Sequence, residues 1–564
     1  MRPTKATYDL IVLGAGAGGL TAATVAAKLG LATLLVEKSA YVGGTTAISG
    51  GMIWVPDNHL MHAAGLADSA EAARRYLAAT VPDAVAAPKL ERYIETAPEA
   101  IAFLTRETEV ALQPVLRYPD YYPDLPGATP GGRVLEPVPF DGRRLGAAFA
   151  WLRPPHPAFT ILGGMMVSRG DIPHFRRFAR AAGSTWRVLR LVLRHLGERL
   201  SHDRGTTLVL GNALAGRLLL SALEAGVELC RSVEIADLVV DNGRCVGVRL
   251  AEAAGGNVIA ARRGVVLATG GFAHDPELRR RLMPKVADEV SASAETATGA
   301  GLRLAETAGA AVVDDAADPA MWVPVSRYRG RDGRPLVYPH TVTDRSKPGA
   351  IAVDDSGRRF VNEALSYHEF VRAMLASPNG VAMRAHLICD SRFLWRYGLG
   401  AVLPFSRRPG RFLASGYLKR AASIEALGTA IGVDAHALAE TVRRYNAAAV
   451  RGEDPDFGRG SDAYQRHLGD VDVAPNPCLA PIDTPPFYAV ELRPGDLGTA
   501  AGIATDASGR VLAPDGQPIG GLFAVGNDAA SIMRGHYPGP GITLGPALTY
   551  GYLAARAAAS GSEC

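Results

Sequence analysis

Six residues near the N-terminus, Gly14-Ala15-Gly16-Ala17-Gly18-Gly19, have the composition and spacing of a phosphate cradle. They follow an apolar run from Tyr8 to Leu13 and precede a helical run from Leu20 to Leu29. Thr33-Leu34-Leu35-Val36 then reads as a second strand ending on Glu37. In such a strand–turn–helix–strand unit each part has a task. Gly14 permits the tight turn, Gly16 lets the backbone approach a pyrophosphate, and Gly19 lets helix and strand pack closely. The helix start offers unpaired N–H groups and the positive end of its dipole to the phosphates. Glu37, about 20 residues on, is placed to accept hydrogen bonds from ribose hydroxyls. The chemistry is dinucleotide binding; the fingerprint alone leaves FAD and NAD open.

Beyond Glu37-Lys38 comes Gly43-Gly44-Thr45-Thr46-Ala47-Ile48-Ser49-Gly50-Gly51. Glycines this dense are costly unless a backbone must approach something closely. Gly264 to Phe272 reads as a buried strand running into Ala268-Thr269-Gly270-Gly271, and Gly521 to Asp528 as another, with Gly526-Asn527 at its turn. Gly541-Ile542-Thr543-Leu544-Gly545 then leads into an Ala-rich final helix. On these residues, from residue 8 to about 558, the sequence resembles the flavoprotein family that holds fumarate reductase, succinate dehydrogenase and the 3-ketosteroid dehydrogenases. The resemblance implies an α/β fold: a Rossmann-type, glutathione reductase-like FAD-binding domain with an inserted α+β catalytic domain. It also implies that FAD lies along the 43–51 loop and that Val233-Glu234 meets the adenine. Thr543 and Leu544 bring the last helix to the flavin pyrimidine end, where the dipole stabilises negative charge. Respiratory members attach FAD to a His near the first glycine loop; here Thr45 and Thr46 imply a non-covalent cofactor.

Within that family the residue types narrow the choice. Carboxylate-clamping His and Arg are absent from Leu497-Gly498-Thr499-Ala500-Ala501-Gly502-Ile503, which counts against an enoate or fumarate-type reductase. Thr298-Gly299-Ala300-Gly301 lacks the acid that the family places after its glycine. Three tyrosine segments stand in the order of the 3-ketosteroid Δ1-dehydrogenases: Asp120-Tyr121-Tyr122-Pro123, Arg359 to Tyr367 around Asn362-Glu363, and His536-Tyr537-Pro538-Gly539-Pro540-Gly541.

By resemblance, the Tyr537 hydroxyl and the Gly541 N–H hold a ketone oxygen and stabilise the developing enolate, as an oxyanion hole does. Tyr367 takes the α proton as tyrosinate. A neutral tyrosine ionises near ~10, so Tyr367 needs a helper; Tyr121 supplies it, with adjacent Tyr122 as the competing assignment. The β hydrogen leaves as hydride to flavin N5. The implied activity is desaturation of a cyclic ketone, first a 3-ketosteroid at Δ1. A cyclohexanone or 4-oxocyclohexanecarboxylate type of substrate is the alternative. The segment from about 145 to 205, longer and more apolar than the steroid pattern, keeps that alternative open. A flavin-containing binding protein without turnover is a third class, disfavoured by the three tyrosine motifs. Without a separate nicotinamide-binding domain, the expected electron acceptor is an external quinone or carrier protein.

These residues need a large scaffold. The 564 residues, 48% hydrophobic and 21% charged, fit a globular chain of several units, and a charge of +4 gives no reason to expect nucleic acid. The cofactor segments are split, which implies a discontinuous FAD-binding domain over 1–284 and 491–564, and a catalytic domain over 285–490. The latter contains an amphipathic helix pattern from Ile424 to Val450. Five scattered cysteines without a CxxC pair argue against disulfides and a metal site. With no signal-peptide pattern and no apolar run of ~18–20 residues, this points to the cytoplasm. From His174 to Arg204 eight arginines interleave with apolar residues. The pattern reads as one or two amphipathic helices, with a solvated basic face over an ordinary core; peripheral membrane contact is the competing reading.

Overall fold

The apolar runs around the glycine cradle form the centre of a largely parallel sheet. In the computed structural model, which describes residues 3–84, 87–342, 344–380, 383–406 and 409–561, Thr7–Leu13 lies between Thr33–Glu37 and Val258–Leu267, parallel to both. Glu228–Arg231 extends the sheet beside Thr33–Glu37, and Pro518–Ala524 pairs in parallel with the inner end of Val258–Leu267. Every residue of Thr33–Glu37 is buried, as expected for a strand covered on both faces. Ile235–Asp241 and Arg244–Leu250 add an antiparallel hairpin. The helices Ala17–Lys28 and Leu544–Ser560 approach closely because their contact is made of small residues; a Cβ at Gly551 would come within 2.6 Å of the Gly18 carbonyl oxygen.

The second sheet is antiparallel, and Phe487–Thr499 is its spine. The first half of that strand pairs with Ala385–Cys389 and Leu418–Ala421, and the second half with Ala320–Arg329. Pro335–Pro339 and Ala350–Val353 complete the sheet. The expected domain boundary at 490 therefore falls inside one continuous strand, and residues 491–499 belong to the antiparallel sheet.

The periodic stretch from Ile424 to Val450 is two helices, Ile424–Ile431 and Ala435–Ala449. Gly432, at φ 75°, ends the first in a left-handed conformation, and the Asp434 side chain caps the second by accepting the Ala437 N–H at 2.9 Å. The basic segment forms Ile172–Arg176 and Ala182–Glu198. Ser184, Val188, Leu191 and His195 are buried, but Trp186, Leu189, Leu193 and Leu196 are exposed. Four of the seven large apolar residues of Ala182–Glu198 thus cover no core, contrary to the ordinary-core reading. Cys230, Cys245, Cys389 and Cys478 are buried free thiols; Cys564 lies outside the described residues. Among the described residues, no helix is long and apolar enough to cross a membrane.

Candidate active site

A continuous cavity of about 460 Å³ is lined by residues of both sheets, among them Leu13 and Val36 from the parallel sheet and Pro339 and Leu497 from the antiparallel one. One end is the glycine cradle. Gly14, at φ 102°, turns against the Ala268 carbonyl, and Gly19 packs on the Gly14 carbonyl so tightly that a side chain at either would collide with backbone. At Gly16, Gly50 and Gly526 an added Cβ would meet nothing within 4 Å. These bare backbones, with Gly18, Gly44 and Gly51, border the cavity. Gly16 also caps the helix Ala17–Lys28, so the start of that helix, at Ala17 and Gly18, borders the same space.

Hydroxyls and carboxylates fix the cradle. Thr46 Oγ1 accepts the Ala17 N–H at 3.1 Å, and Thr45 Oγ1 accepts the Ala294 N–H at 3.0 Å. Ser49 Oγ donates to the Thr46 carbonyl and accepts from Gly51 N–H. Glu37 accepts the Ala15 and Ser39 N–H groups at 2.9 and 2.8 Å and still borders the cavity. Burial raises its pKa against those bonds. Lys38 donates to Thr298 Oγ1, and burial lowers its pKa. Val233, Glu234, Thr269, Gly270, Asn527, Thr543 and Leu544 also line the cavity. Gly19, Gly43 and Gly271 do not line it; they pack behind it.

Sequence reasoning left out Asp528. Its buried carboxylate accepts Gly271 N–H at 2.8 Å and the Thr269 hydroxyl at 3.0 Å, besides the Thr269 N–H. That residue ties the turn after Val258–Leu267 to the turn after Pro518–Ala524, and so joins two walls of the cradle. Burial raises its pKa, while the backbone donors and Lys38 oppose the rise.

Tyrosines occupy the far end. The Tyr367 and Tyr537 hydroxyls are hydrogen-bonded at 2.7 Å. The Tyr121 ring stacks on Tyr537 at 5.7 Å and meets Tyr367 edge-on at 5.9 Å. All three line the cavity, as does Gly541. Among the described residues, none accepts the Gly541 N–H, although its carbonyl accepts from Trp54 and Gly545. Tyr122 points elsewhere: its hydroxyl donates to Glu369 Oε1 at 2.8 Å, and it does not line the cavity. Tyr121 has a buried hydroxyl with no partner in hydrogen-bond geometry, yet its nearness to Tyr367 works against the pKa rise that burial imposes there. Desolvation holds Tyr121 and Tyr367 well above the usual tyrosine value and pushes Tyr537 up to about 12. Tyr367 is the first residue of the helix Tyr367–Leu375, whose dipole favours a tyrosinate there.

Buried polar bonds bring these distant segments together. Tyr121 N–H and the Tyr76 hydroxyl both donate to the Pro538 carbonyl, at 3.1 and 2.6 Å. Asp120 accepts Trp54 Nε1 at 2.8 Å and Arg133 Nη1 at 2.9 Å, while Trp54 N–H donates to Gly541 O. Tyr367 is held by the stretch before it, where Arg359 pairs with Glu363 and Asp454, and Arg459 with Glu363. Also not foreseen were Tyr118, His156 and Phe159, which line the cavity, and Tyr464, whose ring packs on Tyr121 at 4.7 Å.

A dinucleotide cradle faces a buried group of tyrosine hydroxyls, and the chain belongs to the family described as FAD binding domain, which matches residues 9–544 and makes it a flavoprotein. FAD is its cofactor. The chain is 38% identical to the 3-oxosteroid 1-dehydrogenase of Mycobacterium tuberculosis, over 98% of each chain. It is 39% identical to the 4-oxocyclohex-2-ene-1-carboxylate 5-dehydrogenase of Sinomonas cyclohexanicum, over 97% of this chain and 93% of that one. Its fold matches that of the 3-ketosteroid delta1-dehydrogenase of Sterolibacterium denitrificans in complex with 1,4-androstadiene-3,17-dione, with a TM-score of 0.92, 37% identity, and coverage of 99% and 100%. Since that match takes in nearly the whole chain, the 145–205 segment is no reason to set the chain apart from steroid enzymes.

Proposed function

We propose that this chain is an FAD-dependent dehydrogenase that removes two hydrogens from adjacent carbons of a cyclic ketone, with a 3-ketosteroid desaturated at Δ1 as its substrate. One observation carries the reading: the Tyr367 and Tyr537 hydroxyls, 2.7 Å apart, and the unclaimed Gly541 N–H share one cavity with the glycine cradle. Tyr537 and Gly541 supply two donors for the ketone oxygen, which withdraw charge as the enolate develops. Tyr367, beside Tyr537, takes the α proton, and the helix start and the Tyr121 hydroxyl favour its ionised form against the burial that opposes it. FAD held in the cradle supplies the acceptor for the second hydrogen together with its electron pair. An external quinone or carrier protein then takes the two electrons. The architecture behind this reading is a Rossmann-type FAD-binding domain with an inserted α+β catalytic domain, divided after Thr499, where the spine strand ends.

A small-ring keto acid is the second reading, favoured by the 39% identity to the Sinomonas enzyme. Anaerobic mixing of the yellow protein with androst-4-ene-3,17-dione tests both. Bleaching of the flavin with a Δ1-dienone product is the expected result. Bleaching by 4-oxocyclohexanecarboxylate and not by the steroid would move the chain to the second reading. No bleaching with either would overturn ketone desaturation.

A further inference from the structure

The basic helix Ala182–Glu198 has two apolar stripes. Val188, Leu191 and His195 face inward and are buried. Trp186, Leu189, Leu193, Leu196 and, just past the helix, Leu200 follow one another at steps of three and four, so they share the opposite side. They are 69%, 43%, 64%, 55% and 90% exposed. Exposed Leu162, Ile172 and Phe178 on neighbouring segments add to the apolar surface. Scattered exposed hydrophobics need no explanation, but a continuous run of large ones marks an interaction surface.

The flanks of the stripe narrow the partner. Arg187, Arg190 and Arg194 run along one side of it, with Arg187 paired to Asp171 at 2.9 Å and Arg194 3.7 Å from Glu198, and residues 174–204 hold eight arginines against two acids, Glu198 and Asp203. A second copy of the same stripe would bring arginines against arginines. A bilayer containing anionic lipid offers apolar depth to the stripe and negative charge to its borders.

The surface also lies close to the cavity. His156 and Phe159 line the cavity, Leu162 follows three residues later at the surface, and the Leu162 carbonyl is bonded to His195 Nε2 of the helix at 3.1 Å. Helix and cavity wall are therefore one connected piece. We infer that the face formed by Trp186, Leu189, Leu193, Leu196 and Leu200 seats the enzyme on an anionic phospholipid surface, beside the cavity, so that an apolar ketone passes between bilayer and active site. The ketone clause rests on the proposed function, but the binding test below uses no substrate, so the two readings fail separately.

The test is flotation of the FAD-loaded enzyme with vesicles of phosphatidylcholine, with and without phosphatidylglycerol. The expected result is flotation with the anionic vesicles, weakened about tenfold or more by high salt or by R190S/R194S, as follows from screening and loss of two headgroup contacts. The double variant W186S/L193S should lose flotation while keeping its yellow colour and its FAD content. Both substituted residues are exposed and outside the catalytic machinery. Wild-type protein that stays at the bottom of the gradient at low salt would overturn the inference. So would flotation unchanged in W186S/L193S, or a stable dimer that the double variant dissolves, which would assign the stripe to a second copy.

Discussion

Replacing Tyr537 by Phe removes one hydroxyl and little else. The side chain is 3% exposed, so bulk water cannot substitute for the lost donor, and the ring can keep its stacking on Tyr121. The Gly541 N–H remains, so one of the two proposed donors to the developing enolate is lost. Removing a single oxyanion donor from a preorganised site costs roughly 10²–10³ in rate, about 2.7–4 kcal/mol. The substitution also strips the Tyr367 hydroxyl of its 2.7 Å partner. That costs about 1–3 kcal/mol of stability if nothing replaces the bond, little enough for a chain of this size to stay folded. Single-turnover flavin reduction by a steroid ketone, followed anaerobically, isolates the step. The expected rate falls about 100- to 1000-fold, with the flavin spectrum and FAD content unchanged. A fall of less than about threefold in fully flavinated Tyr537→Phe would show that its hydroxyl polarises no carbonyl, and the assignment of this end of the cavity would fail.

The other predictions concern the base, its helper and the cradle. Burial raises the Tyr367 pKa, and a base works only when deprotonated, so kcat/KM for flavin reduction should climb from about pH 7 to about pH 10, by up to about one log unit per pH unit; a flat profile would remove Tyr367 as base. Tyr121→Phe should slow reduction about tenfold or more, whereas Tyr122→Phe, losing only its bond to Glu369, should change it by less than about threefold. The reverse ranking in stopped-flow traces would reassign the helper. Asp528→Asn leaves one acceptor oxygen where two served three donors, and should weaken FAD binding about tenfold, as expected for one charge-assisted hydrogen bond; unchanged affinity by fluorescence titration would show that the turn holds without it.

The cradle could be read from sequence because its parts are contiguous. Strand, turn, helix and acid fall within Thr7 to Glu37, and local geometry fixes their relation. The Ile424–Val450 pattern misled because apolar periodicity continued across Gly432-Val433-Asp434, although a glycine stop and an aspartate cap were both present. The boundary at 490 failed for a different reason: Phe487–Thr499 bonds to Ala385–Cys389 at one end and to Ala320–Arg329 at the other, and no local signal reports pairing partners so far away. The basic helix has apolar residues at helical spacing on two sides, so its periodicity could not say which side is packed.

The tyrosines are the hardest case. Eighteen are present, and spacing does not say which converge. Resemblance singled out Tyr121, Tyr367 and Tyr537 but passed over Tyr118 and Tyr464. What joins the three is a set of contacts that have no pattern along the chain. The Pro538 carbonyl takes the Tyr121 N–H and the Tyr76 hydroxyl, and Trp54 bonds at once to Asp120 and to Gly541. Since one indole side chain and backbone link the Tyr121 segment to Gly541, the proposed helper and the proposed oxyanion donor cannot shift independently. The site's geometry is thus set as much by Trp54, Tyr76 and Asp120, which touch no substrate in the proposed reaction, as by the hydroxyls that do.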